Sequence, residues 1–221
     1  MPQLYSYTIP IDDGAAPNPF FGMCTLAICK PKIRKTAQVG DWVVGIGSKN
    51  APGGDFSQKL VYAMNIEEKM SLQDYDKSAT ARWPHRIPDI TSMALQDRLG
   101  DCIYDFSSGD IPIQRSSVHD QGNYDTDLSG ENVLISRDFY YFGNRPLSLP
   151  EHLLAICHPQ QGHSKDSNDP YVQDFIKWIR SLSLPVGQAY GWPDYIIDWH
   201  GFKGCAGCAI RKDDDQKDNA H

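Results

Sequence analysis

Several groups of residues carry side chains able to do chemistry. Asp12-Asp13-Gly14 puts two acids before a glycine. A carboxylate there, Asp13 first, can accept from an exocyclic amine, or act as a general base if burial raises its pKa. The same pattern also makes an ordinary turn. His163, in Gln161-Gly162-His163-Ser164, follows a glycine that lets the backbone turn tightly. An imidazole there works as acid, base or phosphate donor near neutral pH, although a loop histidine is more often merely exposed. His119, in Val118-His119-Asp120, is a weaker candidate of the same kind. Cys205-Ala206-Gly207-Cys208 has the C-x₂-C spacing that tetrahedral zinc wants, with His200 as a third ligand and Cys24 or Cys29 as the fourth. A single C-x₂-C is equally a reducible thiol pair. Zinc is the one cofactor these residues suggest.

A second set suits recognition. Phe20, Trp42, Tyr62 and Tyr140 offer aromatic faces, and Asn18 and Asn123 offer amide edges. Stacking on an aromatic face contributes about 1–3 kcal/mol per base and tolerates many bases, while hydrogen bonds to the edge select. Any one of these rings is also ordinary core material. Asn18 stands between Pro17 and Pro19, which stiffen its loop. Lys30, Lys32, Arg34 and Lys49 are the candidate phosphate ligands, Arg34 foremost because its planar fork can hold a phosphate bidentately. The cluster Lys30 to Lys35 also reads as a solvated helix end followed by a loop. G-x-x-x-x-G-K-[ST], G-x-G-x-x-G and G-x-S-x-G are all absent, as is the deaminase pairing of H-x-E with P-C-x-x-C.

Composition bounds what these residues can serve. A net charge of -7 argues against general coating of DNA, which draws its free energy from Lys and Arg meeting phosphate. It leaves recognition of one base or nucleotide open. Hydrophobic content of 40% suits a folded chain, and 18 Gly with 15 Pro predict many turns and short elements. No apolar run is long enough for a membrane helix, and Met1-Pro2-Gln3-Leu4-Tyr5 lacks the flank of a signal peptide. The expectation is a cytoplasmic protein without a membrane partner. Its six cysteines then read as free thiols or metal ligands rather than disulfides.

The elements that must position these groups follow from periodicity. Leu4 to Ile9 alternates and reads as a first strand. Met23 to Lys30 is apolar and predicts a short helix stopped by Pro31. Trp42 to Gly47 and Leu60 to Ile66 read as strands, and Met70, Leu72 and Tyr75 mark a short helix or turn. Cys102 to Asp105 is a further strand, and a long loop, functional or mobile, runs from Ser107 to Gly130. Val133 to Ser136 and Phe139 to Gly143 predict a late strand pair. Apolar spacing through Val172, Phe175, Ile176 and Ile179 predicts the longest helix over Pro170 to Ser181, with Asp169 as its cap.

The Gly40-Asp41-Trp42 strand, followed by Lys59 to Glu68, is similar to the PUA-like superfamily, especially its EVE and YTH-type members. The chain more specifically resembles the nucleotide modification associated domain family, second type. The matching pieces are Leu4-Tyr5-Ser6-Tyr7, Asp13-Gly14 with Ala16-Pro17-Asn18-Pro19-Phe20, Cys29-Lys30-Pro31-Lys32-Ile33-Arg34, Val133-Leu134-Ile135-Ser136 with Asp138 to Gly143, and Gln161-Gly162-His163.

The resemblance implies an α+β fold, a small mixed β-barrel or curved sheet with peripheral helices. One domain would span 1–200 with an insertion near 107–130, and 201–221 would form an extension, disordered after about 211. It implies work on modified bases in bacteria or their phages, with a nucleotide or a single-stranded or flipped-base nucleic acid as partner. Three functions compete. The chain recognises a modified base, it is an enzyme acting on such a base, nucleotide or precursor, or it is a zinc-stabilised interaction protein.

Overall fold

The computed structural model describes residues 1–157 and 163–196. Among the described residues twelve strands form in chain order: β1 (Leu4–Ile9), β2 (Cys24–Leu26), β3 (Trp42–Gly47), β4 (Lys59–Asn65), β5 (Glu68–Ser71), β6 (Tyr104–Asp105), β7 (Ile113–Gln114), β8 (Asn132–Ser136), β9 (Phe139–Tyr141), β10 (Leu147–Ser148), β11 (His163–Ser164) and β12 (Gln188–Ala189). The α-helices of the same residues are α1 (Pro31–Thr36), α2 (Leu72–Arg82), α3 (Leu95–Arg98), α4 (Tyr124–Ser129) and α5 (Val172–Ser181).

The main sheet runs β11-β1-β3-β4-β9-β12, with β10 also on β4. β1 pairs parallel with β3 and β12 parallel with β9, and the other pairs are antiparallel. A smaller sheet, β2-β8-β5, and a β6-β7 ribbon complete the strands. The expected barrel or curled sheet is not formed. Among the described residues the two edge strands, β11 and β12, each have a single neighbour, so the sheet stays open.

Period-2 alternation sorts side chains onto two faces. Tyr5, Tyr7, Val43, Tyr62, Met64, Phe139 and Tyr141 face a core shared with β2, β8 and α1. Leu4, Trp42, Val44, Ile46, Ala63 and Tyr140 face a second core, closed by Phe175 and Ile179 of α5 and by Leu153 and Ile156. α5 thus packs the stripe its spacing predicted. It starts two residues later than expected, after a 3₁₀ turn over Asp166–Tyr171, and α2 is one residue longer.

Two local readings are corrected. Cys24–Leu26 is a strand rather than helix, because all three residues are buried as they pair with β8. Pro31 opens α1 instead of ending a helix, which suits a residue whose missing N–H costs nothing in a first turn. The predicted pair β8 and β9 forms as two strands, yet they enter different sheets: β8 pairs with β2 and β5, β9 with β4 and β12. The chain turns that corner at Arg137 and Asp138, whose N–H groups both donate to Glu67 Oε2.

Candidate active site: a cysteine, a histidine and an aspartate

β2 leads through a sharp turn into α1, and Cys29 sits in that turn. Its φ of 57° and the 41° of Lys30 are both in the left-handed region, which costs a non-glycine residue roughly 1–2 kcal/mol. Strand-to-helix turns of this kind push one side chain out of the chain path, and such strain clusters at functional sites. Both backbone groups of Cys29 are tied down. Its N–H donates to Asp127 Oδ1 at 2.8 Å, and its carbonyl accepts from Arg34 Nε at 2.7 Å.

The Cys29 Sγ lies 3.3 Å from His119 Nε2, and His119 Nδ1 lies 2.5 Å from Asp127 Oδ2. A carboxylate facing Nδ1 fixes the proton on that nitrogen and leaves Nε2 as the acceptor toward the thiol. Tyr104 donates to the same Oδ2 at 3.0 Å. All three residues are buried, with Cys29 6%, His119 5% and Asp127 1% exposed. Low dielectric strengthens each of these polar contacts.

Arg34 ties the site together from beneath. Its guanidinium is fully buried and donates to the carbonyls of Cys29, Asn132 and Asp127. Burial pulls its pKa below the ordinary arginine value and Asp127 pulls it back. Gly130 has to be glycine here, because a Cβ at that position would overlap the guanidinium. The expectation that Arg34 grips a phosphate is therefore corrected: its fork is spent inside the fold.

A cysteine, a histidine and an aspartate so linked can do two kinds of chemistry. They match the nucleophile, base and orienting acid of covalent catalysis. They also place three metal-capable ligand atoms within 4.8 Å of one another. The hydrogen bonds favour the first use. Asp127 already accepts from the Cys29 N–H, Tyr104 and His119, so an ion reaching Sγ and Nε2 would meet a carboxylate turned to other work.

The other described cysteines lack such a partner set. Burial pushes the Cys24 and Cys102 thiols well above their ordinary range and Cys157 up to about 11. Cys24 and Cys102 thus have the setting of inert structural thiols, and the half-buried Cys157 that of an accessible but unactivated one.

The remaining candidates scatter. Asp13 caps its own turn, accepting from the Ala15 N–H at 3.0 Å. Its neighbour Asp12 is the perturbed acid. Burial pushes it up to about 7, against the hydrogen bond from Tyr141 at 2.6 Å. Asn18 is buried, with its amide oxygen taken by Phe20 N–H and Arg86 and its amine on the Leu99 carbonyl. Asn123 caps a 3₁₀ turn through the Asp120 N–H. Phe20 belongs to the first core, while Trp42 and Tyr140 lie on the opposite sheet face under Arg180. The structure therefore does not bring those three rings together. Lys30 extends over the Tyr7 ring at 5.0 Å, Lys32 is half-exposed on α1, and Lys49 stands in the exposed turn after β3. The backbone of His163 pairs with Tyr7 on β11, whereas its side chain, His200, Cys205 and Cys208 lie outside the described residues. No described helix is long and apolar enough to cross a membrane.

Sequence reasoning flagged Cys29 only as a spare zinc ligand and His119 as a minor imidazole, and it passed over Asp127. The one sequence signal was the apolar Val118 beside His119 in a mostly polar insertion, and the structure buries that valine fully. Spacing alone could not join residues 90 and 98 positions from Cys29.

The model of one family, nucleotide modification associated domain 2, matches residues 1–200. No curated protein and no solved structure matches the chain.

Proposed function

We propose, for a chain that belongs to the nucleotide modification associated domain 2 family, that it is a thiol-dependent acyl-transfer enzyme. The acyl group would be one carried by a base, a nucleotide or its precursor. The observation that carries this reading is the unbroken chain from Cys29 Sγ to His119 Nε2 and from His119 Nδ1 to Asp127. Sγ attacks the acyl carbon as its proton passes to Nε2, and the sulfur–carbon bond forms. The bond to the leaving group then breaks, and that group takes the proton from Nε2. Water or an acceptor amine next attacks the thioester, again giving a proton to Nε2, which returns it to the departing sulfur. Asp127 holds the ring and stabilises its charged form without taking the proton. The net charge of -7 favours a free nucleotide, a single strand or an extruded base over intact duplex as substrate.

An activated ester tests this without knowing the natural substrate. Mixing the purified protein with p-nitrophenyl acetate should release a burst of one nitrophenolate per chain and leave an acetyl group on Cys29, read by peptide mass spectrometry. Cys29→Ala should abolish both. No burst, or acetylation elsewhere alone, refutes the thiol enzyme. One tightly held metal per purified chain whose removal frees Cys29 for labelling would instead favour the metal reading.

A further inference from the structure

We infer that the cleft beside Phe20, Phe21 and Trp192 is a nucleotide-binding site, stacking one base between aromatic faces and holding its phosphate on Arg145. The cleft has a volume of about 360 Å³, and Gln96 and Tyr190 also line it. Neither Phe21 nor Trp192 is needed by the core, since they are 48% and 50% exposed.

Phe21 is held there against its backbone preference. Asn18 and Thr25 bridge antiparallel, and the Met23 N–H donates to the Phe20 carbonyl, so Phe21 and Gly22 form the tip of a tight hairpin. Both have positive φ, 57° and 70°. Turns of that kind select asparagine and glycine, and a phenylalanine at the first position is strained. Its ring stacks at 4.5 Å on His85, which fixes the ring's direction. The facing wall is fixed too. The Tyr190 N–H donates to the Tyr141 carbonyl, Asn144 N–H to the Trp192 carbonyl, and Trp192 N–H to Asn144 Oδ1. The Trp192 ring stands 6.1 Å from Phe20, tilted by 40°.

Preset, half-exposed rings suit a flat heterocycle, because stacking on them orders little that is not ordered already. The charges at the mouth choose the rest of the ligand. Arg145 is exposed, and its guanidinium has no ion pair among the described residues. A single arginine fits one phosphate, in keeping with a net charge of -7 that disfavours tracking along intact duplex. The Gln96 amide and the backbone at Gly22 and Gly191 line the cleft where the edge of a base would lie. The site does not depend on Cys29, so failure of the acetylation test would leave it standing.

Calorimetric titration of the full chain with deoxyadenosine, deoxyadenosine monophosphate and a short single strand of deoxyadenylates tests the site. At least one phosphate-bearing probe should bind. Trp192→Ala and Phe21→Asn should each weaken it by about 5- to 150-fold, the span that one stacked base confers. Asparagine accepts the left-handed backbone at position 21, so Phe21→Asn tests the ring without adding strain. Arg145→Met should weaken the two phosphate-bearing probes and spare any binding of the nucleoside. Equal affinity for monophosphate and strand identifies a free nucleotide as the ligand, and preference for the strand identifies a nucleotide within a chain. Absence of binding at millimolar concentration, or variants that bind like the parent while melting at the same temperature, overturns the proposal.

Discussion

The backbone N–H of Cys29 donates to Asp127 Oδ1 at 2.8 Å, so the carboxylate that orients His119 also holds the turn that presents the thiol. One side chain holds both the imidazole and the turn that carries the thiol, so under the proposed thiol chemistry a change there acts on reactivity and on folding together.

Asp127→Asn should therefore destabilise the protein by about 2–4 kcal/mol, since the amide must turn an N–H toward Tyr104 or His119. With the ring no longer held by a carboxylate, acetylation at Cys29 should also slow; urea unfolding measures the lost stability and peptide mass spectrometry the slower acetylation. A variant as stable as the parent would mean that Asp127 carries less of the fold than its contacts require.

Arg34 separates structural from ligand-binding roles. Arg34→Met takes its donor from three carbonyls, two of them buried and that of Asn132 part-buried, and should cost about 3–5 kcal/mol. Arg34→Lys should recover only part of that, because an ammonium cannot reproduce the planar fork. Denaturant titration of both variants checks the order. Equal stability of parent and Arg34→Met would contradict the buried role.

Asp12 makes stability depend on pH. Its folded pKa is raised from an ordinary 3.8 to about 7, chiefly by burial. The folded chain thus keeps a proton that the unfolded chain has released. The resulting stabilisation is full below about pH 4 and is lost as the pH rises toward about 7, by at most about 4 kcal/mol. Asp12→Asn stays neutral throughout and should flatten that decline. Asp101, also raised by burial, keeps a residual slope. Urea unfolding at acidic and neutral pH, parent against variant, measures it. An unchanged slope would show that Asp12 is not the group responsible.

How much of this was legible in the sequence follows from how local each signal is. Leu4 to Ile9 and Trp42 to Gly47 read correctly as strands, because alternation and β-branched residues act within one element. The stripe of α5 was equally plain. Met23 to Lys30 misled, since a short apolar run looks alike in a buried strand and a helix, and only pairing with β8 decides. The barrel failed for a similar reason: closure depends on which strands meet at the edges, and no strand carries that alone. Arg34 looked like a phosphate ligand because charge is visible in sequence and burial is not. The triad joins a turn, an insertion loop and α4, and only the assembled fold brings the three together.

The dependence of Cys29 on His119 bears most directly on the thiol centre. The rate of Cys29 alkylation by iodoacetamide, followed by peptide mass spectrometry in the parent and in His119→Asn, measures it. A histidine that takes the thiol proton requires the substitution to slow Cys29 by at least ~10-fold, with Cys157 unchanged as the internal reference. Equal rates at Cys29 in the two proteins would contradict the triad.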